Sequence, residues 1–285
     1  TTGERPGRRL LDAAEAHGID LTNIWGSVTP DNNVRHVCLL TPGPGRVAMA
    51  FTDEPEDPAA EAELGRVIAT ACRELADSSR VRLVQALLEP RETHALESFL
   101  HAGFLRIGGL MYMRRPWRDV KGREEDDAPW PDGVTVDRWR QGEDAELVEA
   151  LQRTYIDTLD CPELCGMRDG RDVLESHRAS GQFDPNLWWL VRLNGEAHGA
   201  LLLNPDPTQG HTELVYLGLS PALRGKHLGG RLLRMGLRAI AKRREREVTC
   251  AVDERNVAAR RLYEKHGFQA FARRIALVRS LVENH

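Results

Sequence analysis

A basic, glycine-bearing stretch over residues 220–230 has the residue types of a phosphate-binding turn. Its charged residues and glycines are Arg224, Gly225, Lys226, Gly229 and Gly230. Residues 212–219 before it alternate like a half-buried strand, and apolar residues recur with helical spacing from Leu228 onward. A strand that leads through such a turn into a helix directs several backbone N–H groups at one spot, which suits a phosphate. A tight connection without any ligand is the alternative interpretation.

The strand predicted before this turn carries one carboxylate among apolar residues. The residues that share its face by the strand period of two are Glu213, Val215, Leu217 and Leu219. A carboxylate on an apolar face costs desolvation unless it has a task, so we predict Glu213 as a general base, directly or through water. A solvated carboxylate at the strand end is the alternative. His211 and Tyr216 are reserve candidates, although Tyr216 is predicted to face the other way.

The elements that must position these residues follow from periodicity and turn signals. In the first half we predict a helix over 9–17, strands over 36–40 and 46–52, a helix over 59–77, a strand over 81–88, a helix over 91–102 and a strand over 105–114. In the second half we predict a strand over 134–140, helices from 143 and over 173–179, strands over 188–192 and 197–204, the strand over 212–219, a helix from 228, a strand over 247–252, a helix over 256–266 and strands over 269–281. Asn194-Gly195 is a strong hairpin turn, and Asn256 is a good N-cap. Both halves end in a strand, a long helix, a strand, a short helix closing in Gly-Phe and a last strand, which indicates an internal duplication.

Composition limits the class of protein. The 285 residues are 41% hydrophobic and 29% charged, which is typical of a folded protein with one large domain or two ordinary ones. The net charge of -4 gives no general attraction to nucleic acid or to anionic membranes, and no apolar run is long enough to span a bilayer. Five cysteines without a signal peptide predict reduced thiols and a cytoplasmic location. Cys161 and Cys165 are too few ligands for structural zinc, so we predict no metal site.

The second half resembles the GNAT superfamily of acetyltransferases over about residues 134–281. Residues 224–229 take the place of the family's phosphate loop, Gln/Arg-x-x-Gly-x-Gly/Ala, and His227 stands where the family usually has glycine. Residues 256–268 look like the family's Asn…Tyr…Gly-Phe segment. The resemblance implies an α/β (α+β) fold in which a mixed, mostly antiparallel sheet is flanked by helices and splayed at the strand over 212–219. It also implies acetyl-CoA as cosubstrate and an amine as acceptor.

The resemblance also assigns roles to individual residues. Backbone amides of the turn would hold the pyrophosphate, with Arg224 and Lys226 adding positive charge. The strand end would pair with the pantetheine arm, and Asn256 would cap its helix and touch the pantetheine. The residues predicted to bind the cofactor are Leu217, Gly218, Leu219, Arg224, Gly225, Lys226, His227, Leu228, Gly229, Gly230 and Asn256. Tyr263 takes the place of the family tyrosine that protonates the departing CoA thiolate. The predicted catalytic residues are therefore Glu213 and Tyr263.

The first half looks like a degenerate copy of the same fold. At its loop position it has DEPEDP, residues 53–58, with four carboxylates and no glycine, and carboxylates would repel a pyrophosphate. We therefore predict a degenerate domain over 1–116, a charged and proline-bearing linker over 117–133 and a catalytic domain over 134–285. This layout is similar to that of tandem members of the superfamily such as mycothiol synthase.

These observations predict an N-acetyltransferase that acts on a primary amine of a small molecule, with no nucleic-acid or membrane partner. We expect acceptor contacts from residues 157–171 and from the hairpin at Trp188-Trp189. Asp157, Asp160 and Glu163 form an acidic cluster suited to a cationic amine, with a merely solvated acidic loop as the alternative. The sequence does not identify the acceptor or the oligomeric state. A non-catalytic acyl-CoA-binding or scaffold protein is the alternative, favoured by His227 and by the degenerate first half. A Walker-type nucleotide site is excluded, because no Gly-Lys-Ser/Thr sequence is present in the turn.

Overall fold

The computed structural model describes residues 21–117, 128–241, 243 and 245–282. The predicted helix over 9–17 and most of the predicted linker lie outside these residues. The chain folds into two compact units. The first contains the described residues up to Gly108 together with those from Arg274, and the second runs from Gly109 to Arg273. The predicted domain bounds, each continuous in sequence, stay a prediction.

The first unit contains a five-stranded sheet that carries two helices. Its elements are β1 (Ile24–Val28), β2 (Val34–Gly43), β3 (Val47–Thr52), α1 (Pro58–Ser78), β4 (Leu83–Leu88) and α2 (Thr93–His101), with β11 (Gln269–Ser280) supplying the fifth strand. The order is β1-β2-β3-β4-β11, and only β3 and β4 are parallel. Buried residues of both helices, such as Ile68 and Phe99, pack with Leu40 and Val84 of the strands in one core. Strand β1 was not predicted, because its alternate residues are exposed and half-buried and give no apolar face.

The second unit contains a six-stranded sheet with helices on both faces. Its elements are β5 (Leu105–Pro116), β6 (Val134–Arg138), α3 (Asp144–Tyr155), α4 (Gly170–Ala179), β7 (Trp188–Leu193), β8 (Glu196–Asp206), β9 (His211–Leu219), α5 (Leu228–Ala239), β10 (Glu247–Asp253) and α6 (Val257–Lys265). The order is β5-β10-β9-β8-β7-β6, and only β10 and β9 are parallel. The predicted mixed, mostly antiparallel sheet flanked by helices is confirmed.

The two faces of this second sheet have separate cores. Leu233 of α5 and Tyr263 of α6 pack in one core with β9 and β10, and Leu147 of α3 and Leu174 of α4 pack in another with β7 and β8. The predicted hairpin at Asn194-Gly195 is confirmed: both residues have positive φ, 51° and 87°, as a type I′ turn requires. None of the helices in the described ranges is long and apolar enough to cross a membrane.

Candidate functional site

The two parallel strands of the second unit separate part-way along their length. β9 pairs with β10 from His211 opposite Glu247 to Glu213 opposite Thr249, and no further. Beyond that point a pocket of about 860 Å³ opens between the strands. Residues 214–219 of β9 line one side of the pocket, and Ala251 and Val252 of β10 line the other. The splay expected from the family resemblance is therefore present.

A β-bulge changes which side chains of β9 face each core. Leu202 of β8 pairs with Tyr216 and the next residue, Leu203, pairs with Leu214, so Val215 is an extra residue. Val215 and Tyr216 consequently both pack on the α3/α4 face, while Leu214 packs in the core on the α5/α6 face. Leu217 packs on the α5/α6 face as well. We predicted that Glu213, Val215, Leu217 and Leu219 share one face and that Tyr216 faces the other way. The prediction is wrong after the bulge, because Leu217 lies on the other face from Val215 and Tyr216 lies on the same face as Val215.

The turn before α5 contains two residues with left-handed backbone conformation. Gly225 has φ of 74°, and His227, the N-cap of α5, has φ of 60° and ψ of 9°. His227 therefore adopts a conformation that favours glycine. Its side chain makes no capping hydrogen bond, so the first N–H groups of α5 are left for another acceptor. The predicted cofactor residues Gly225, Leu228, Gly229 and Gly230 line the pocket with His227, whereas Lys226 is exposed and does not line it.

Arg224 has a role that the sequence did not predict. Its guanidinium donates hydrogen bonds to the carbonyl oxygens of Leu219 at 2.9 Å, Thr154 at 2.8 Å and Asp157 at 3.0 Å. These bonds join the turn to the end of β9 and to the chain that leaves α3. The charge that Arg224 was expected to direct at a pyrophosphate is thus used on backbone carbonyls.

The two predicted catalytic residues lie in different surroundings. Tyr263 is buried and lines the pocket, with its ring centroid 5.5 Å from that of Phe268. Burial raises the pKa of Tyr263 well above its usual value, helped by Cys250 and Asp160, so its phenol stays protonated. Glu213 occupies the last paired position before the strands separate, where its carboxylate accepts a hydrogen bond from the Ser180 hydroxyl. It is half-buried and is not among the residues that line the pocket.

Helix α6 begins as predicted. The Asn256 side chain accepts a hydrogen bond from the N–H of Ala259 at 3.1 Å, which confirms the N-cap, and Asn256 also lines the pocket. Gly267 ends the helix with φ of 85°, in the left-handed conformation predicted for it. The cap therefore fixes a side chain of the pocket through ordinary helix chemistry.

Two carboxylates of the predicted acidic cluster, Asp157 and Asp160, line the pocket. Asp160 was not among the predicted site residues, and it accepts a hydrogen bond from the N–H of Asp253 at 2.8 Å. Only its acidic side chain in an aperiodic segment marked it in the sequence. Its partner Asp253 lies 93 residues away, at the end of β10.

In the first unit, two carboxylates of residues 53–58 accept hydrogen bonds from the N–H groups at helix starts. Asp57 accepts a hydrogen bond from the N–H of Ala60 at 2.9 Å and caps α1. Glu54 accepts from the N–H groups of His94 and Ala95, at the start of α2. These contacts agree with the expectation that the segment does not hold a pyrophosphate, which stays a prediction.

Comparisons with known proteins agree with this geometry. Residues 147–268 match the profile of the "Acetyltransferase (GNAT) family". A mycothiol acetyltransferase of Streptomyces avermitilis is 30% identical over 247 residues, which cover 82% of this chain and 76% of that protein. One from Thermomonospora curvata is 31% identical over 173 residues, which cover 60% of this chain and only 54% of that protein's length.

Solved structures share the fold at low identity. A GCN5-related N-acetyltransferase from Sphaerobacter thermophilus has a TM-score of 0.62 at 19% identity, over 99% of this chain and 88% of that one. A tandem GNAT protein from the clavulanic acid biosynthesis pathway has a TM-score of 0.53 at 14% identity, over 96% and 89%. The predicted superfamily and tandem layout are confirmed. The chain therefore belongs to the GNAT family of acetyltransferases, acyltransferases whose cosubstrate is acetyl-CoA.

Proposed function

We propose that the chain transfers the acetyl group of acetyl-CoA to a primary amine of a small molecule. The observation that carries the proposal is the pocket of the second unit. It brings together the uncapped start of α5, the edge of β9 that β10 leaves unpaired and the buried phenol of Tyr263. A donor with a pyrophosphate, an amide-bearing arm and a thioester needs these three features in this order.

The donor would be held mainly by backbone groups. The N–H groups of residues 225–230 would bind the pyrophosphate, since the first amides of a helix have no acceptor within it. The pantetheine arm would pair with residues 217–219 like an added strand, and an N–H group there would polarise the thioester carbonyl. Asn256 would contact the same arm from the start of α6.

The transfer itself needs one group that takes a proton and one that gives one. The amine nitrogen attacks the thioester carbonyl carbon, and the C–S bond breaks as the tetrahedral intermediate collapses. Tyr263 gives its phenolic proton to the thiolate and regains one from solvent, while Glu213 takes the proton of the attacking amine through water. The balance is R–NH₃⁺ + acetyl–S–CoA → R–NH–CO–CH₃ + HS–CoA + H⁺.

The relatives add one class of acceptor to the panel of amines to be tested. Both aligned relatives are named mycothiol acetyltransferases, so mycothiol-related amines join polyamines, amino sugars and aminoglycosides in the panel. A non-catalytic acyl-CoA-binding protein is the second candidate. It is favoured by Glu213, whose carboxylate is bonded to Ser180 and does not line the pocket.

The test is release of free CoA thiol from acetyl-CoA in the presence of each amine, with the N-acetylated product identified by mass. Thermal stabilisation by CoA but not by ATP serves as the binding control. We expect both release and stabilisation. Stabilisation by CoA without thiol release for any amine would favour the non-catalytic candidate, and no stabilisation would remove both.

A further inference from the structure

We propose that Asp160 binds the ammonium group of the acceptor, so that the enzyme selects cationic primary amines over neutral nucleophiles. This inference rests on the proposed function and names its acceptor class. Asp160 follows α3 in the segment between Tyr155 and α4, is exposed, and is among the residues that line the pocket. Tyr263 lines the same pocket from α6.

The carboxylate of Asp160 is held in place from the β10 side. The N–H of Asp253 donates to its Oδ1 at 2.8 Å, and the Asn256 side chain forms a second hydrogen bond to it. Because the Asn256 carbonyl already accepts from Ala259, the amide NH₂ of Asn256 is the group left to donate to Asp160. Both donors belong to the junction of β10 and α6.

The rest of the loop is fastened to the same junction. The N–H of Cys161 donates to Oδ2 of Asp253 at 3.0 Å. Arg255 forms a two-pronged ion pair with Glu163, with N–O distances of 2.6 and 2.8 Å. With Arg224 bonded to the carbonyl of Asp157 before it, the loop is tied on both sides of Asp160. A carboxylate fixed in this way can orient a ligand without first ordering itself.

Two neighbouring carboxylates are given different tasks. Asp253 is fully buried, and although burial opposes its ionisation, hydrogen bonds from Arg255 and Cys161 outweigh it and lower the pKa of Asp253. For Asp160, desolvation of the carboxylate by the surrounding protein, with a smaller effect of the Asp253 charge, raises the pKa although the residue as a whole is exposed. Within the described residues no Lys, Arg or His side chain forms an ion pair with Asp160, whereas Asp253 has Arg255. The charge of Arg255 also acts on Asp160, but Arg255 is paired directly with Glu163 and Asp253, so a cation bound in the pocket would be the direct ionic partner of Asp160.

Charges of both signs line the pocket. Arg234, Lys265 and His266 line it from α5 and from the end of α6, and Arg224 lines it from the turn before α5. Asp157 and Asp160 line it from the segment after α3. Tyr263 lines the same pocket as Asp160. An ammonium group bound at Asp160 would therefore share the pocket with the group proposed to protonate the thiolate.

The experiment compares charged and uncharged acceptors. In D160N, kcat/KM for the best cationic amine of the panel should fall about 100-fold, mostly through KM, because a fixed charged partner is lost. An alkoxyamine, which is uncharged at neutral pH, should lose less than about threefold, and the Kd of acetyl-CoA should not change. Equal losses for both amines, or an unchanged KM for the cationic one, would overturn the proposal.

Glu163 and a dead-end complex supply the controls. E163Q makes the same charge change in the same loop without lining the pocket, so it should keep the preference for the cationic amine even if the loop loosens. D160E keeps the charge and should retain that preference if D160N folds poorly. Calorimetry of 1,4-diaminobutane and glucosamine with the protein–CoA complex measures amine binding without transfer. Binding that requires Asp160 without any acetylation would refute the proposed function alone, and no binding to the unsubstituted protein would refute this inference.

Discussion

Replacing His227 by glycine tests whether the turn before α5 already has the backbone conformation that a pyrophosphate requires. His227 has φ of 60° and ψ of 9°, it is exposed, and its side chain makes no capping bond. An L-residue in this conformation costs roughly 1–2 kcal/mol, and glycine removes that cost while adding about 0.5–1 kcal/mol of entropy to the unfolded chain. The H227G variant should therefore be more stable by up to about 1 kcal/mol, or about 2–4 °C in Tm.

The affinity for CoA should hardly respond to the same change. The N–H groups of the turn keep their directions, because the histidine backbone already lies where a glycine would, so Kd should change less than about threefold. Gly225 provides the matched control. It has φ of 74°, and a Cβ built there meets nothing within 4 Å, so G225A carries only the backbone cost and should destabilise by about 1 kcal/mol.

Thermal unfolding without ligand and calorimetric titration with CoA measure the two quantities separately. A tenfold or greater gain in CoA affinity in H227G would refute the reasoning, because it would mean that His227 holds the turn away from its binding conformation. A fall in Tm of H227G alongside an unchanged G225A would refute the assignment of left-handed backbone to these positions.

Three further predictions concern catalysis, folding and pH. Y263F and E213Q should each lower kcat about 100-fold with CoA binding kept, and full activity in steady-state kinetics would remove that residue's role. D253N should lower the free energy of unfolding by about 3 kcal/mol, since a fully buried partner of Arg255 loses its charge; denaturant unfolding with a loss under about 1 kcal/mol would contradict this. Burial, with a smaller effect of the nearby Arg168 charge, lowers the pKa of His177 from 6.5 to about 4. The native state therefore binds this proton only at a lower pH than the unfolded chain does. The free energy of unfolding should therefore have its full value above pH ~6.5 and fall by up to about 3 kcal/mol toward pH ~4. In H177Q, denaturant titrations should show a weaker dependence of this free energy on pH.

Local signals predicted most of the elements because the physics behind them is local. The Asn194-Gly195 turn, the Asn256 cap and Gly267 after α6 each need only a few neighbouring residues to fix their conformation. The helices predicted over 59–77 and from 228 are periodic enough that packing only adjusted their ends. These elements position the turn, Asn256 and Tyr263.

The bulge in β9 is a different case, because it depends on pairing rather than on sequence. The sequence of β9 is compatible with the alternation of a regular strand, and only its register with β8 makes Val215 an extra residue. That register moves Tyr216 to the face of Val215, where its phenol lies 2.5 Å from the Thr154 hydroxyl. Arg224 is similar, because its three carbonyl partners are assembled by the fold and are up to 70 residues away.

The start of each helix explains why one unit can hold a pyrophosphate and the other is not expected to. Every helix leaves its first N–H groups without an internal acceptor, so an acceptor must come from a side chain, from water or from a ligand. In the first unit, Asp57 supplies it for α1 and Glu54 supplies it for α2, and both acceptors carry negative charge. In the second unit, α5 begins at a histidine that supplies none. The same requirement is therefore met by carboxylates of the chain where the sequence has DEPEDP, and it is open to water or to the proposed pyrophosphate where the sequence has Arg-Gly-Lys-His. On this proposal, the absence of a carboxylate matters more for binding than the glycine that the family usually has at position 227.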